Sequence, residues 1–363
     1  SVVDGIPRAT AITWPEEAPA AVTPLAGQRE HVPTPEDSVV GGSGDEAVWA
    51  PAWVADGRLV MGSPRDLGTS YQRRGFDDDV DRIWAQGGDR RVWLRGAPGI
   101  GKSYAALRVW HEALGMPSED RGRILIWVDS ADPTAIVDTL SRAMDLVPQF
   151  HGQDAGESAA PPLQRARSFL TLLSNTTLPW LVVYDGADPD AVIEAGLVPP
   201  GGNPHGRFLA TTVTPMGGAG RVGRVVVAAR FSDQEAIGYV RSLIDPATGD
   251  RAPLAHAADA TIRRLARAVD HHPLGLSIAA KTIITWHLDV DDWLAEFHAA
   301  ATMDAAADEP DAGGYPHLIG AAWRVALERA GRGQPEGVVT RAAYVAAIVR
   351  GGPHPSWLWQ RDG

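Results

Sequence analysis

Residues 96–103 read Gly-Ala-Pro-Gly-Ile-Gly-Lys-Ser, a full match to the pattern Gly-x-x-x-x-Gly-Lys-Ser/Thr. Each position answers a physical demand. Gly96, Gly99 and Gly101, with Pro98 between them, let the backbone turn its N–H groups inward around an anion, where a Cβ would obstruct them. A helix opening at Gly101 aims the positive end of its dipole at the same place. Lys102 puts a flexible ammonium on the β and γ phosphates of a nucleotide, and Ser103 offers a hydroxyl to Mg²⁺. The flanks agree, with an apolar strand at 91–94 before the loop and an amphipathic helix at 103–114 after it. A glycine-rich turn with a solvated lysine is the bland alternative. It fits poorly, because Lys occurs only at 102 and 281 while Arg supplies the rest of the 33 basic residues.

A chain of 363 residues has room for two or three domains. Its net charge of -12 argues against nucleic acid as a bulk electrostatic partner. The absence of cysteine removes disulfides, thiolate nucleophiles and cysteine-ligated zinc, and fits a reducing cytoplasm. No stretch approaches the roughly 18 unbroken apolar residues of a membrane span, and no signal peptide opens the sequence.

Residues 1–70 are rich in Pro, Ala, Gly and Glu and read as a linker or arm. Within them, residues 47–61 carry Trp49, Trp53, Leu59, Val60 and Met61, enough for a short hairpin or a docking segment. From 71 to 232 strands and helices alternate. Apolar strands are expected at 91–94, 124–128, 180–184, 208–212 and 225–228, a pattern that implies a parallel sheet covered on both faces. Asp132-Pro133 caps and opens a helix towards 146, and 147–161 read as a loop. After 232 only helical periodicity remains, at 233–244, 258–269, 274–286, 291–301 and along the stripe Tyr315, Leu318, Ile319, Ala322, Trp323, Ala326. A final helix near 338–349 belongs to a segment, 331–363, that begins something new.

Three further elements carry chemistry. Leu181-Val182-Val183-Tyr184-Asp185 ends an apolar run in a carboxylate, which a parallel sheet would place beside the phosphate loop as a Mg²⁺ holder. Residue 186 is Gly, so Asp188 is the nearest candidate for activating water, unless it caps the helix that Pro189 opens. Thr211 and Thr212 end a strand where hydroxyls could sense the γ-phosphate or simply pack. His271-His272-Pro273 lacks a third ligand at metal spacing, so a proline packing on a purine ring is the better reading.

Together these residues resemble the NB-ARC group of STAND-type regulatory P-loop ATPases, which includes plant resistance proteins, the apoptotic protease-activating factor and many bacterial signalling proteins. The likeness spans about residues 71–350. It rests on the loop at 96–103, the run 180–188, the segment 207–212, His272-Pro273-Leu274-Gly275-Leu276 and the helix at 315–329. It implies an α/β P-loop NTPase parallel sheet flanked by helices (71–232), an all-helical lid (233–330) and the start of a winged-helix-like segment (331–363). It further implies ATP/ADP and Mg²⁺ as cofactors, with Lys102 and Asp185 at the reaction centre, Ser103 and Asp185 on the metal, Tyr104 beside the loop, and Pro273 on the adenine. The activity implied is a slow ATPase acting as a molecular switch with nucleotide-controlled homo-oligomerisation, its effector and sensor domains outside this segment. The sequence departs from the family pattern at Val213, where an Arg is usual, and at Arg73-Arg74-Gly75, a scrambled Gly-Arg element. Two other readings stay open: an AAA+-like working ATPase, with Arg221, Arg224 or Arg230 as a finger, and a catalytically degenerate nucleotide-binding scaffold.

Overall fold

The structure is a computed structural model. It describes residues 52–55, 58–62, 64–68, 70–115, 124–129, 132–150, 160–215, 222–244, 254–306 and 317–333. Contacts divide the chain into Ser1–Asp45 and Glu46–Gly363, and every described residue lies in the second unit. The expected helix near 338–349 and nearly all of the segment 331–363 lie outside the described residues.

A seven-stranded sheet forms the first half. Its strands are β1 (Ala52–Ala55), β2 (Arg58–Met61), β3 (Arg91–Arg95), β4 (Ile124–Asp129), β5 (Trp180–Asp185), β6 (Gly206–Thr212) and β7 (Arg224–Val227), in the order β1-β2-β4-β5-β6-β3-β7. Only the β1–β2 pair is antiparallel. The central strands are continuous apolar runs because both faces are covered: Ile124 through Val128 are all buried, as are Trp180 through Tyr184.

Alternation along each strand divides the core in two. Ile124, Ile126, Val128, Val182, Tyr184 and Phe208 face α3 (Pro133–Phe150) and α4 (Pro162–Asn175). Leu125, Trp127, Leu181, Val183 and Leu209 face α1 (Gly75–Ala85) and α2 (Lys102–Leu114). Helix α3 opens at Pro133 and runs four residues past the expected 146, and Asp132 Oδ1 accepts from Thr134 N at 2.9 Å. A short α5 (Pro189–Glu194) follows β5.

The short hairpin that residues 47–61 allow forms at 52–61 and joins the sheet: β2 pairs parallel with β4, Leu59 opposite Ile124 and Met61 opposite Ile126. Leu59, Val60 and Met61 are buried, so the hairpin covers an edge that would otherwise expose a very apolar strand.

The second half is helical: α6 (Asp233–Ser242), α7 (Asp259–Ala268), α8 (Pro273–Trp286), α9 (Val290–Ala306) and α10 (His317–Gly331). Its core includes Ile262, Leu265, Leu276, Ile283, Trp293 and Phe297, with the Trp293 and Phe297 rings stacked at 4.9 Å. Ser232 opens α6 with a capping box, its hydroxyl accepting from Glu235 N at 3.2 Å. Among the described residues no helix is long and apolar enough to cross a membrane.

Candidate functional site

The glycine-rich loop leaves β3 at the C-terminal edge of the sheet and enters α2 directly. Gly96 N still donates to Thr212 O at 3.2 Å, so the loop starts while tied to β6. Gly99 has φ +72°, and a Cβ there would lie 2.9 Å from the side chain of Leu274. Both the left-handed backbone and the close approach therefore require glycine. Gly101, at φ 102°, is the N-cap of α2; it offers no side-chain cap, and the first turn carries no acidic residue. The N–H groups of that turn thus face outward as an anion site.

Lys102 is 8% exposed and its Nζ donates to Gly96 O and Ala97 O, each at 2.8 Å. Burial pulls its ammonium down to about 8, while the charge of Asp185 pushes the other way.

Asp185 closes β5 one strand beyond β6. Its Oδ1 accepts from Ser103 Oγ at 2.8 Å and from Thr211 Oγ1 at 2.6 Å. Thr211 in turn accepts from Gly186 N at 2.8 Å. Loop, β5 and β6 therefore meet at one carboxylate. A hydroxyl and a carboxylate in contact are hard oxygen donors suited to Mg²⁺, which completes its shell from water and phosphate. Among the described residues no group of three or more His, Cys, Asp or Glu gathers as a fuller metal site.

The remaining predicted residues do not all join this centre. Asp188 is exposed and caps α5, its Oδ1 accepting from Asp190 N at 3.0 Å and Ala191 N at 3.3 Å. Thr212 is buried, and its hydroxyl accepts from Thr214 N at 3.1 Å rather than joining Asp185. Tyr104 is 42% exposed, with the Arg65 guanidinium 4.8 Å from its ring centroid. Val213, also exposed, follows β6.

The helical half reaches the loop through the start of α8. Pro273 is the first residue of that helix and is buried; His272 Nε2 lies 3.0 Å from Pro98 O. Burial first, then the nearby charges of Arg230 and Arg74, push the His272 imidazole down and oppose the pull of the Pro98 carbonyl and Asp270. His271 instead lies 3.7 Å from Asp233.

Sequence reasoning undervalued Arg74. It is 5% exposed, and its Nη1 donates to Ile100 O at 2.6 Å while Nη2 donates to Ala229 O. Its guanidinium sits 4.4 Å from the Phe231 ring and 3.8 Å from Glu235. Its backbone N donates to Asp77 Oδ2 at 2.8 Å, and Asp77, fully buried, pairs with Arg108 of α2. Arg74 thus braces the phosphate loop against the start of the helical half. The local signal was present in Arg73-Arg74-Gly75-Phe76, a cation beside an aromatic ahead of the first strand–loop–helix unit.

With β6 inserted between the loop strand and the strand ending in Asp185, the order β4-β5-β6-β3-β7 decides the architecture. The fold is P-loop NTPase-like. No family model matches the chain, and a search of curated proteins returned no match. Among solved structures, a Walker-type ATPase of Pyrococcus abyssi is similar at 12% identity and a TM-score of 0.40, covering 79% of this chain and 87% of that one. A signal transduction ATPase with numerous domains and a tetratricopeptide repeat sensor, from Pyrococcus horikoshii, is similar at 15% identity and a TM-score of 0.40; the match covers 68% of this chain and only 36% of that protein. Cdc6p from Pyrobaculum aerophilum is similar at 11% identity and a TM-score of 0.39, covering 78% and 88%. The P-loop assignment rests on the strand order and the loop, not on these distant likenesses.

Proposed function

We propose that this chain is an ATP/ADP-dependent molecular switch that hydrolyses ATP slowly and controls assembly with further copies of itself. The observation that carries the reading is the meeting of Lys102, Ser103, Asp185 and Thr211 under a loop on which the helical half is seated through His272 and Leu274. A ligand shifts a conformational equilibrium only by binding its two states differently. A nucleotide held between sheet and lid touches both halves and satisfies that condition.

Each side chain has a defined task. Lys102 exchanges the two loop carbonyls for phosphate oxygens by turning its flexible stem. The first turn of α2 supplies N–H donors to the same phosphates. Ser103 and Asp185 would hold Mg²⁺, which would supply positive charge to the β and γ phosphates. Thr211 orients Asp185 and reports its position to Gly186 through the hydrogen bond they share. Pro273, buried at the start of α8, would meet the purine as the lid moves.

The test is to denature purified protein and identify the released nucleotide, beside Lys102→Ala and with oligomeric state measured in ADP and in a non-hydrolysable ATP analogue. Near-stoichiometric ADP from the wild type, none from the variant, and a larger assembly with the analogue are expected. Rapid multiple turnover would replace the switch with a working ATPase. An unchanged assembly state in both nucleotides would leave a scaffold.

A further inference from the structure

Hydrolysis at this site needs a group that takes a proton from water, and the carboxylates named so far have other tasks. Asp185 Oδ1 already accepts from Ser103 and Thr211. The next residue, Gly186, has φ +90° and no side chain. Asp188 spends its carboxylate on the first turn of α5.

One more carboxylate stands at the same edge. Asp129 closes β4 and is the register partner of Asp185, the last pair of that ladder. The two strands run about 4.8 Å apart, as neighbouring strands do. Alternation fixes which face the two side chains share. Trp127, two residues before Asp129, packs edge-on against Trp110 of α2 with ring centroids 5.9 Å apart. Val183, two residues before Asp185, belongs to the same layer under α1 and α2. Both carboxylates therefore leave the sheet on the side of the phosphate loop and its helix. Trp127 Nε1 donates to Asp129 Oδ1 at 3.3 Å, which holds the carboxylate while the residue stays exposed to water.

Resting on the switch reading above, we infer that Asp129 is the catalytic carboxylate that orients and deprotonates the attacking water. The water oxygen forms a bond to the γ-phosphorus as the bond from that phosphorus to the bridging oxygen breaks. The bridging electron pair leaves with ADP, and the water's proton passes to Asp129 and then to solvent. Asp185, which would hold the metal with Ser103, takes no part in the proton transfer. The sequence carries the sign in duplicate: Ile-Leu-Ile-Trp-Val-Asp and Trp-Leu-Val-Val-Tyr-Asp are two apolar strands that each end in a carboxylate, aligned residue for residue.

The experiment compares the full chain with Asp129→Asn and Asp129→Glu, adding Mg-ATP and measuring affinity with a fluorescent ATP analogue, single-turnover hydrolysis, and the nucleotide recovered on denaturation. Asp129→Asn should bind within about threefold of wild type, which also shows that it folds, yet hydrolyse about 100-fold more slowly. It should release intact ATP where the wild type releases ADP, and Asp129→Glu should recover part of the rate. Hydrolysis by Asp129→Asn close to the wild-type rate overturns the assignment while leaving the switch reading intact. A wild type that keeps its ATP uncleaved over the same period overturns the assignment and, with it, the slow hydrolysis of the switch reading. A wild type that binds no nucleotide overturns both.

Discussion

Burial gives Lys102 a working range of pH. The folded protein holds its ammonium at about 8 instead of the ordinary 10.5. Phosphate oxygens favour the charged form, so binding must re-protonate the side chain once the pH passes about 8. ADP affinity should then be flat below pH 8 and fall by up to about tenfold per pH unit above it. The nucleotide-free fold should move the opposite way. Between about 8 and 10.5 the unfolded chain holds a proton that the folded chain does not, so stability rises with pH across that window. Calorimetric titration and urea unfolding from pH 7 to pH 9.5 check both slopes. Opposite signs from a single residue would be hard to mimic by general alkaline damage.

At the scale of elements, the edge hairpin makes the sharpest prediction. A chain beginning at residue 64 lacks β1 and β2 and bares β4, whose Ile124 through Val128 are otherwise buried. Such an edge pairs readily with other chains, so the truncated protein should aggregate where the full chain stays dispersed, as light scattering would show. The strands from β3 onward were legible because they are long apolar runs bounded by Gly, Pro and Asp. The hairpin was only half legible: its composition allowed a hairpin, but nothing local says that a Pro-rich stretch will pair with a strand more than 60 residues later. At the site the same division holds. The loop residues announce themselves through spacing alone. Thr211 could be picked out, but its partition from Thr212 follows from which face of β6 each occupies, a property of tertiary packing. Asp129 was overlooked because its pairing with Asp185 is defined only by register.

At the scale of the molecule, two cores meet along a narrow seam in which Arg74 is central. Removing its side chain leaves the carbonyls of Ile100 and Ala229 without their donor and takes the cation from beside Phe231 and Glu235. Arg74→Ala should cost about 3 kcal/mol of stability, as deletions of buried, hydrogen-bonded charge do. Calorimetry should show one melting transition separating into two as sheet and helical half come apart at different temperatures. Arg74→Lys should recover less than half, since an ammonium cannot span both carbonyls with a planar fork.

β6 also determines what can move. On one edge it receives Gly96 N through the Thr212 carbonyl; on the other, Thr211 takes the N–H groups of Gly186 and Ala187 through its hydroxyl and carbonyl. The glycine-rich loop and the turn that follows Asp185 are thus clamped to opposite sides of one strand, like two jaws bolted to a single bar. They cannot open relative to each other without tearing hydrogen bonds from that bar. On the switch reading the sheet is the anvil, and what travels between the ATP and ADP states is the hammer: the helices that begin after Ser232 and rest on Pro98 through His272.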